Sequence, residues 1–144
     1  MAEAIFRALA SQRLGCAEEE LRRNGIDVLS AGVAAGDNFP ASREAVELLR
    51  ERGVDLSQHL SRPVTSEMLS ESDHVFAMTE SHLAVLEEAR PDLTGRMQLV
   101  TRNGRDISDP IGGGVEVYRQ CADELTDAIA RITDDLVGKD DAKV

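Results

Sequence analysis

The sequence has no tryptophan, one tyrosine and three phenylalanines. A core this poor in aromatics must be built from aliphatic side chains. There are two cysteines, Cys16 and Cys121. Two cysteines do not make a disulfide framework, and as free thiols they fit a reducing, cytoplasmic setting. The histidines, His59, His74 and His82, are scattered. With the two thiols they show no metal-ligand spacing, so neither a metal nor another cofactor is expected. Basic residues are outnumbered, with 16 Lys and Arg against 27 Asp and Glu and a formal charge of −11. This balance argues against nucleic acid as the main partner, because phosphate backbones are held by clustered Lys and Arg. No run approaches the ~20 apolar residues of a membrane span, so no membrane partner is expected. The opening Met1–Arg7 has an early acid and a helical period, unlike a signal peptide.

What is present suits one folded domain of 144 residues, 42% hydrophobic and 30% charged. Ile5, Phe6, Leu9 and Leu14 lie near helical spacing and predict an opening helix that begins at or before residue 1. Glu18 to Arg23 predicts a short helix closed by Asn24-Gly25. Ile26 to Val33 predicts a strand with Val28 and Leu29 buried. Ser42, Thr65 and Thr79 are placed to cap three further helices. His74 to Met78 predicts a short, nearly all-apolar strand of the kind found inside a parallel sheet. Met97 to Val100 predicts a third, weaker strand. Val115 to about Val137 predicts a long helix with Val117, Tyr118, Cys121, Leu125, Ile129, Ile132 and Leu136 facing inward. The alternation predicts an α/β fold with a parallel sheet, over a domain at 1–137 followed by a charged tail at 138–144.

The sharpest local feature lies between the third strand and the last helix. Asp109-Pro110 is followed by Ile111 and then Gly112-Gly113-Gly114. Pro110 stiffens the chain and the glycines let it turn closely past a ligand. An aspartate held there can act as a general acid or base, although Asp-Pro is also an ordinary turn. Cys16 and Arg22 have the C-x5-R spacing of cysteine-dependent phosphatases. The intervening residues include three glutamates and no glycine. They favour helix, and they would repel phosphate rather than offer it a nest of N–H groups. The match is read as coincidence, Cys121 as a core thiol, and the histidines as structural donors.

Several segments together resemble low-molecular-weight protein tyrosine phosphatases. They are Met1-Ala2-Glu3-Ala4-Ile5-Phe6-Arg7, Ser30-Ala31-Gly32-Val33, His59-Leu60-Ser61-Arg62-Pro63 and Ala77-Met78-Thr79-Glu80-Ser81-His82. Most specific is Asp109-Pro110-Ile111-Gly112-Gly113 followed by Val117-Tyr118-Arg119-Gln120. The likeness runs from residue 1 to about 137 and is nearest the bacterial branch that includes protein arginine phosphatases.

The resemblance implies a three-layer sandwich with helices on both faces of a four-stranded parallel sheet. Its first, central strand leads into a C-x5-R-[ST] phosphate loop. It implies a phosphorylated protein as substrate, a cysteinyl-phosphate intermediate and Asp109 as general acid and base. The central strand, the nucleophilic cysteine and the phosphate-binding arginine have no counterpart here, because the likeness starts at the methionine after the loop. The expectation is therefore a shortened chain, inactive as it stands, with two strands left facing each other unpaired or forced to re-pair. A non-catalytic, partner-binding or vestigial role is the alternative. An arsenate reductase of the same fold would need a pair of resolving thiols in reach of one another, and Thr79 to Arg90 contains none.

Overall fold

A computed structural model describes residues 1–137. Among the described residues there are five α-helices: α1 (Ala2–Leu14), α2 (Arg43–Glu51), α3 (Ser66–Glu71), α4 (Glu80–Ala89) and α5 (Val115–Val137). Two 3₁₀ helices, Glu18–Asn24 and Pro91–Arg96, join them. The strands are β1 (Val75–Ala77) and β2 (Met97–Leu99), which pair in parallel with Val75 opposite Met97 and Ala77 opposite Leu99. No helix among the described residues is long and apolar enough to cross a membrane. The charged tail expected at 138–144 lies outside the described residues.

Local chemistry explains where the helices start and stop. The side chains of Ser42, Thr65 and Thr79 accept hydrogen bonds from the backbone N–H of Ala45, Met68 and His82. Each satisfies a donor that the first helical turn cannot. Gly25 ends the first 3₁₀ helix at φ 79°, a left-handed conformation that glycine adopts without steric cost.

The principal core is helical. Ala4 and Ile5 of α1, Ala45, Leu48 and Leu49 of α2, and Tyr118, Cys121, Ala122, Leu125 and Ile129 of α5 form one cluster. A second, smaller cluster gathers Leu69, Ala77, Leu86, Leu93 and Met97 around the two strands. A third joins Ala10, Leu21 and Val137 at the far end of α1.

Four expectations need correction. Residues 26–31 form no regular element, Gly32 makes a single parallel bridge with Pro63, and Val33 already belongs to a turn, so the expected strand is not present. A strand exists only where a neighbour completes its ladder, and among the described residues 26–31 have no ladder partner. The expected sheet of three strands is therefore two-stranded among the described residues, and the three-layer sandwich is reduced to a mixed α/β fold. Leu29 is 53% exposed rather than buried, and Val28 is half-buried, for the same lack of a covering neighbour. On α5, Val117 and Leu136 are exposed, while Ala122, Ala128, Thr133 and Val137 are buried. The inward face is thus turned from the expected stripe, toward the small side chains that let α1 approach.

Leu49 is completely buried where α2 meets the main core. Leu49→Ala should lower the free energy of unfolding by about 2–5 kcal/mol through lost burial and a residual cavity. Urea denaturation of the two proteins checks this.

Candidate active site

The candidate centre forms where the carboxyl end of β1, the start of α1 and the loop before α5 converge. Open parallel sheets place ligands at the carboxyl ends of their strands. The loop is tied across that end of β1. Val100 N–H donates to the Ala77 carbonyl at 2.9 Å, and Ile107 N–H donates to the Met78 carbonyl at 2.9 Å. Asp106 Oδ1 accepts the Glu80 N–H at 2.8 Å, which fixes the loop to the start of α4.

Asp109 follows on this anchored loop and is solvent-exposed. Its Oδ1 accepts the Ile111 N–H at 3.0 Å, an Asx turn that sets the carboxylate's direction. Oδ2 takes no partner among the described residues. The glycine run has a steric reason. Gly112 sits at φ 79°, and a Cβ on Gly113 would lie 2.8 Å from the Val117 Cβ and 3.0 Å from the Pro110 carbonyl. Ile111, 75% exposed, stands beside the acid.

Cys121 lies beneath the loop, with Sγ 3.7 Å from the Ser108 carbonyl. Burial pushes its thiol pKa up, and the carboxylates of Glu124 and Asp109 add to the rise. The Met1 ammonium opposes it. Cys121 is therefore a core thiol, as expected, and not an activated nucleophile. The Met1 ammonium and the Asp109 carboxylate thus both act on Cys121 through space. The Met1 ammonium itself is held below its ordinary pKa by burial, against the pull of Cys121 and Glu3.

The structure adds an assembly that residue patterns missed. Glu3 Oε2 accepts hydrogen bonds from the Ser30 N–H at 3.0 Å and the Ser30 hydroxyl at 2.6 Å. His59 Nδ1 lies 3.9 Å from the same oxygen. Three of the segments that carry the family likeness thus meet at one carboxylate, in the first turn of α1. The pairing itself spans 27 residues from Glu3 to Ser30, a separation at which spacing carries no signal. His74 stacks on Phe76 instead. At His82 it is the backbone N–H that is engaged, by Thr79. Among the described residues no cluster of His, Cys, Asp or Glu suits a metal.

Cys16 is placed elsewhere. It lies just past the last turn of α1, a helix of 13 residues. At a rise of roughly 1.5 Å per residue, the helix carries it about 20 Å from the helix start. The residues after it form a 3₁₀ helix in which the Ala17 N–H donates to Glu20 Oε2. Arg22 pairs with Asp27. No phosphate nest exists between them, and Asp109 stands at the opposite end of α1.

This arrangement defines a cysteine-phosphatase-like α/β domain that presents a loop aspartate at the amino end of a helix. The chain belongs to the low molecular weight phosphotyrosine protein phosphatase family, whose model matches residues 1–142. The match starts at residue 1, so it lends no support to the expectation of a shortened chain. Over 140 residues the chain is 34% identical to a protein-arginine-phosphatase of Bacillus subtilis, covering 94% of this chain and 87% of that protein. It is 36% identical over 116 residues to the Geobacillus stearothermophilus protein of the same name, covering 78% of each. The crystal structure of a low molecular weight protein tyrosine phosphatase from T. tengcongensis superposes with a TM-score of 0.80 at 36% identity, covering 94% of this chain and 88% of that one. The YwlE arginine phosphatase from Geobacillus stearothermophilus gives 0.78 at 29% identity, covering 99% and 92%.

His59 gives the site a pH signature. Burial holds its pKa below the ordinary 6.5, and the Met1 ammonium and Arg62 act in the same direction against Glu3. The unfolded chain then binds more protons between the lowered pKa and 6.5. The His59 contribution to stability is present above pH 6.5 and is lost as pH falls through that interval. His59→Gln should flatten the stability profile below pH 6.5, as checked by thermal melts in a buffer series.

Proposed function

We propose that this chain provides the acid-bearing side of a phosphatase site that acts on phosphorylated proteins, with Asp109 as the proton donor and acceptor. The observation that carries the reading is an aspartate on an anchored Asx turn, beside the amino end of α1, in a chain of this family. A helix start favours anions, and a loop carboxylate next to it is placed to serve a leaving group.

The chemistry divides into two displacements. A thiolate attacks phosphorus in line, the P–O or P–N bond breaks, and the leaving oxygen or nitrogen takes a proton from Asp109. Water then attacks the cysteinyl phosphate, giving its proton to Asp109 and releasing phosphate and thiolate. An arginine fork and backbone N–H groups stabilise the equatorial oxygens in both steps. Neither Cys16 nor Cys121 is placed to be that thiolate, so we assign the nucleophile to no residue within 1–144. Ile111 beside the acid gives an aliphatic rather than an aromatic wall, which favours phosphoarginine over phosphotyrosine. The protein-arginine-phosphatase names of two relatives agree with that preference.

A second reading rests on the same absence of a placed thiol: the 144 residues serve as a non-catalytic, partner-binding module. Turnover separates the two. Purified 1–144 should hydrolyse neither an aryl phosphate nor a phosphoarginine peptide, and Cys16→Ala should change nothing. Cys16-dependent turnover would overturn the placement of the nucleophile outside Cys16. When a strand and a glycine-containing C-x5-R-S loop are fused ahead of Met1, turnover should appear. Asp109→Asn in that fusion should slow phosphoarginine hydrolysis by about 10²–10⁴-fold, with a smaller effect on a good leaving group. An inactive but folded fusion would favour the partner-binding module.

A further inference from the structure

The sequence has three asparagines, Asn24, Asn38 and Asn103, and two of them precede glycine, as Asn24-Gly25 and Asn103-Gly104. An Asn-Gly pair is open to attack by the backbone on its own side chain, because glycine has no Cβ to shield its nitrogen. The fold treats the two pairs in opposite ways. Asn24 is the last residue of the first 3₁₀ helix. Its Nδ2 donates to the Glu20 carbonyl at 2.9 Å, and the Gly25 N–H donates to the Arg22 carbonyl at 3.1 Å. Both the amide that would leave and the nitrogen that would attack are therefore held. Asn38 precedes Phe39, whose N–H donates to Ser61 Oγ at 3.0 Å.

At Asn103 these restraints are missing. Asn103 and Gly104 are exposed on the loop between β2 and α5. The Gly104 N–H takes no acceptor among the described residues. Asn103 Oδ1 accepts the Arg105 N–H at 3.2 Å, so a donor already polarises the side-chain carbonyl that would be attacked. The Thr101 hydroxyl donates to the Arg105 carbonyl and closes the same turn. Gly104 stands at φ 72°, and beyond its two chain neighbours no atom lies within 4 Å of the place a Cβ would take. Nothing crowds the ring that such an attack would form. The turn lies between two anchors of the acid loop, the Val100 N–H on the Ala77 carbonyl and the Asp106 carboxylate on the Glu80 N–H. Arg102, Arg105 and, from α5, Arg131 line one cleft with Asn103.

We propose that the fold exposes Asn103 to self-modification while it protects Asn24, and that the chain converts Asn103 to isoaspartate and aspartate with water as the co-reactant. The Gly104 nitrogen attacks the Asn103 side-chain carbonyl carbon. The new C–N bond closes a succinimide ring, and the side-chain nitrogen leaves as ammonia, carrying the proton that Gly104 gave up. Water then adds to either ring carbonyl and breaks its bond to the ring nitrogen. Opening one way gives aspartate, and opening the other way gives isoaspartate. Asparagine and water are consumed, and an acid and ammonia are released. Either product adds a negative charge to the arginine-lined cleft, and isoaspartate also lengthens the main chain between the two anchors by a methylene. The proposal stands apart from the phosphatase reading.

The test incubates purified 1–144 in warm, mildly alkaline buffer and follows all three asparagines by peptide mapping, with fragmentation that separates isoaspartate from aspartate. A parallel sample is held unfolded in guanidinium chloride. In native buffer Asn103 should be converted faster than Asn24 by about tenfold or more, because two hydrogen bonds restrain the Asn24-Gly25 pair. Isoaspartate should be among the products at 103. In guanidinium chloride the two Asn-Gly pairs should convert at similar rates, because the bonds that hold Asn24 and Gly25 are lost. Conversion of Asn103 no faster than that of Asn24 in native buffer would overturn the proposal. So would an equal excess at Asn103 in guanidinium chloride, because the flanking residues rather than the fold would then set it.

Discussion

The packing of α1 against α5 is the contact on which the rest of the molecule depends. With two strands of three residues each, the sheet buries too little to organise a domain. The main cluster instead joins Ala4 and Ile5 to Ala122, Leu125 and Ile129, with Leu48 and Leu49 of α2 closing it. The small side chain of Ala122, fully buried, lets the helices approach closely enough for aliphatic side chains to fill the space left by the scarcity of aromatics. At the far end, Ala10, Leu21 and Val137 repeat the arrangement. Arg13 pairs with Asp134 at its surface. An exposed pair of this kind adds little to stability beside apolar burial.

This packing also positions the chemistry. With α1 held along α5, its amino end comes to the carboxyl end of β1. The loop before α5 is stitched to that same strand end through Ala77, Met78 and Glu80. Asp109 thus sits on an anchored loop without being buried, its carboxylate oriented by the Ile111 N–H and still exposed. Glu3 performs the corresponding task on the other flank, where one carboxylate oxygen holds Ser30 and faces His59. The two acids are engaged differently: one oxygen of Glu3 holds Ser30, while Asp109 binds the Ile111 N–H through Oδ1 and its Oδ2 takes no partner among the described residues.

Much of the framework was legible from residue patterns, and the reasons are local. The caps at Ser42, Thr65 and Thr79 work through a side-chain oxygen and an N–H three residues on, so their signal is contained in a few consecutive residues. The same holds for Gly25 and for the Asp109-to-Gly113 turn. The helix-favouring, acidic residues after Cys16 argue against a phosphate nest, and the 3₁₀ helix there agrees. The segment at 26–33 misled because its apolar composition describes what a strand would bury, whereas strand formation needs a neighbour that lies elsewhere in the chain. The tilt of the α5 stripe misled for a related reason. Periodicity marks a broad apolar face, and the partner helix decides which edge of it is covered.

By itself the sequence determined the helix limits, the turn that orients Asp109, the aliphatic nature of the core and the absence of a phosphate nest at Cys16. These follow from backbone preferences and charges acting over a few residues. Only the tertiary structure decided that Glu3, Ser30 and His59 share one site, that Cys121 is a buried thiol beneath the acid loop, and that β1 keeps an open edge among the described residues. Each of those depends on contacts between residues far apart in sequence. Such contacts come from the way whole helices pack, which residue spacing does not encode.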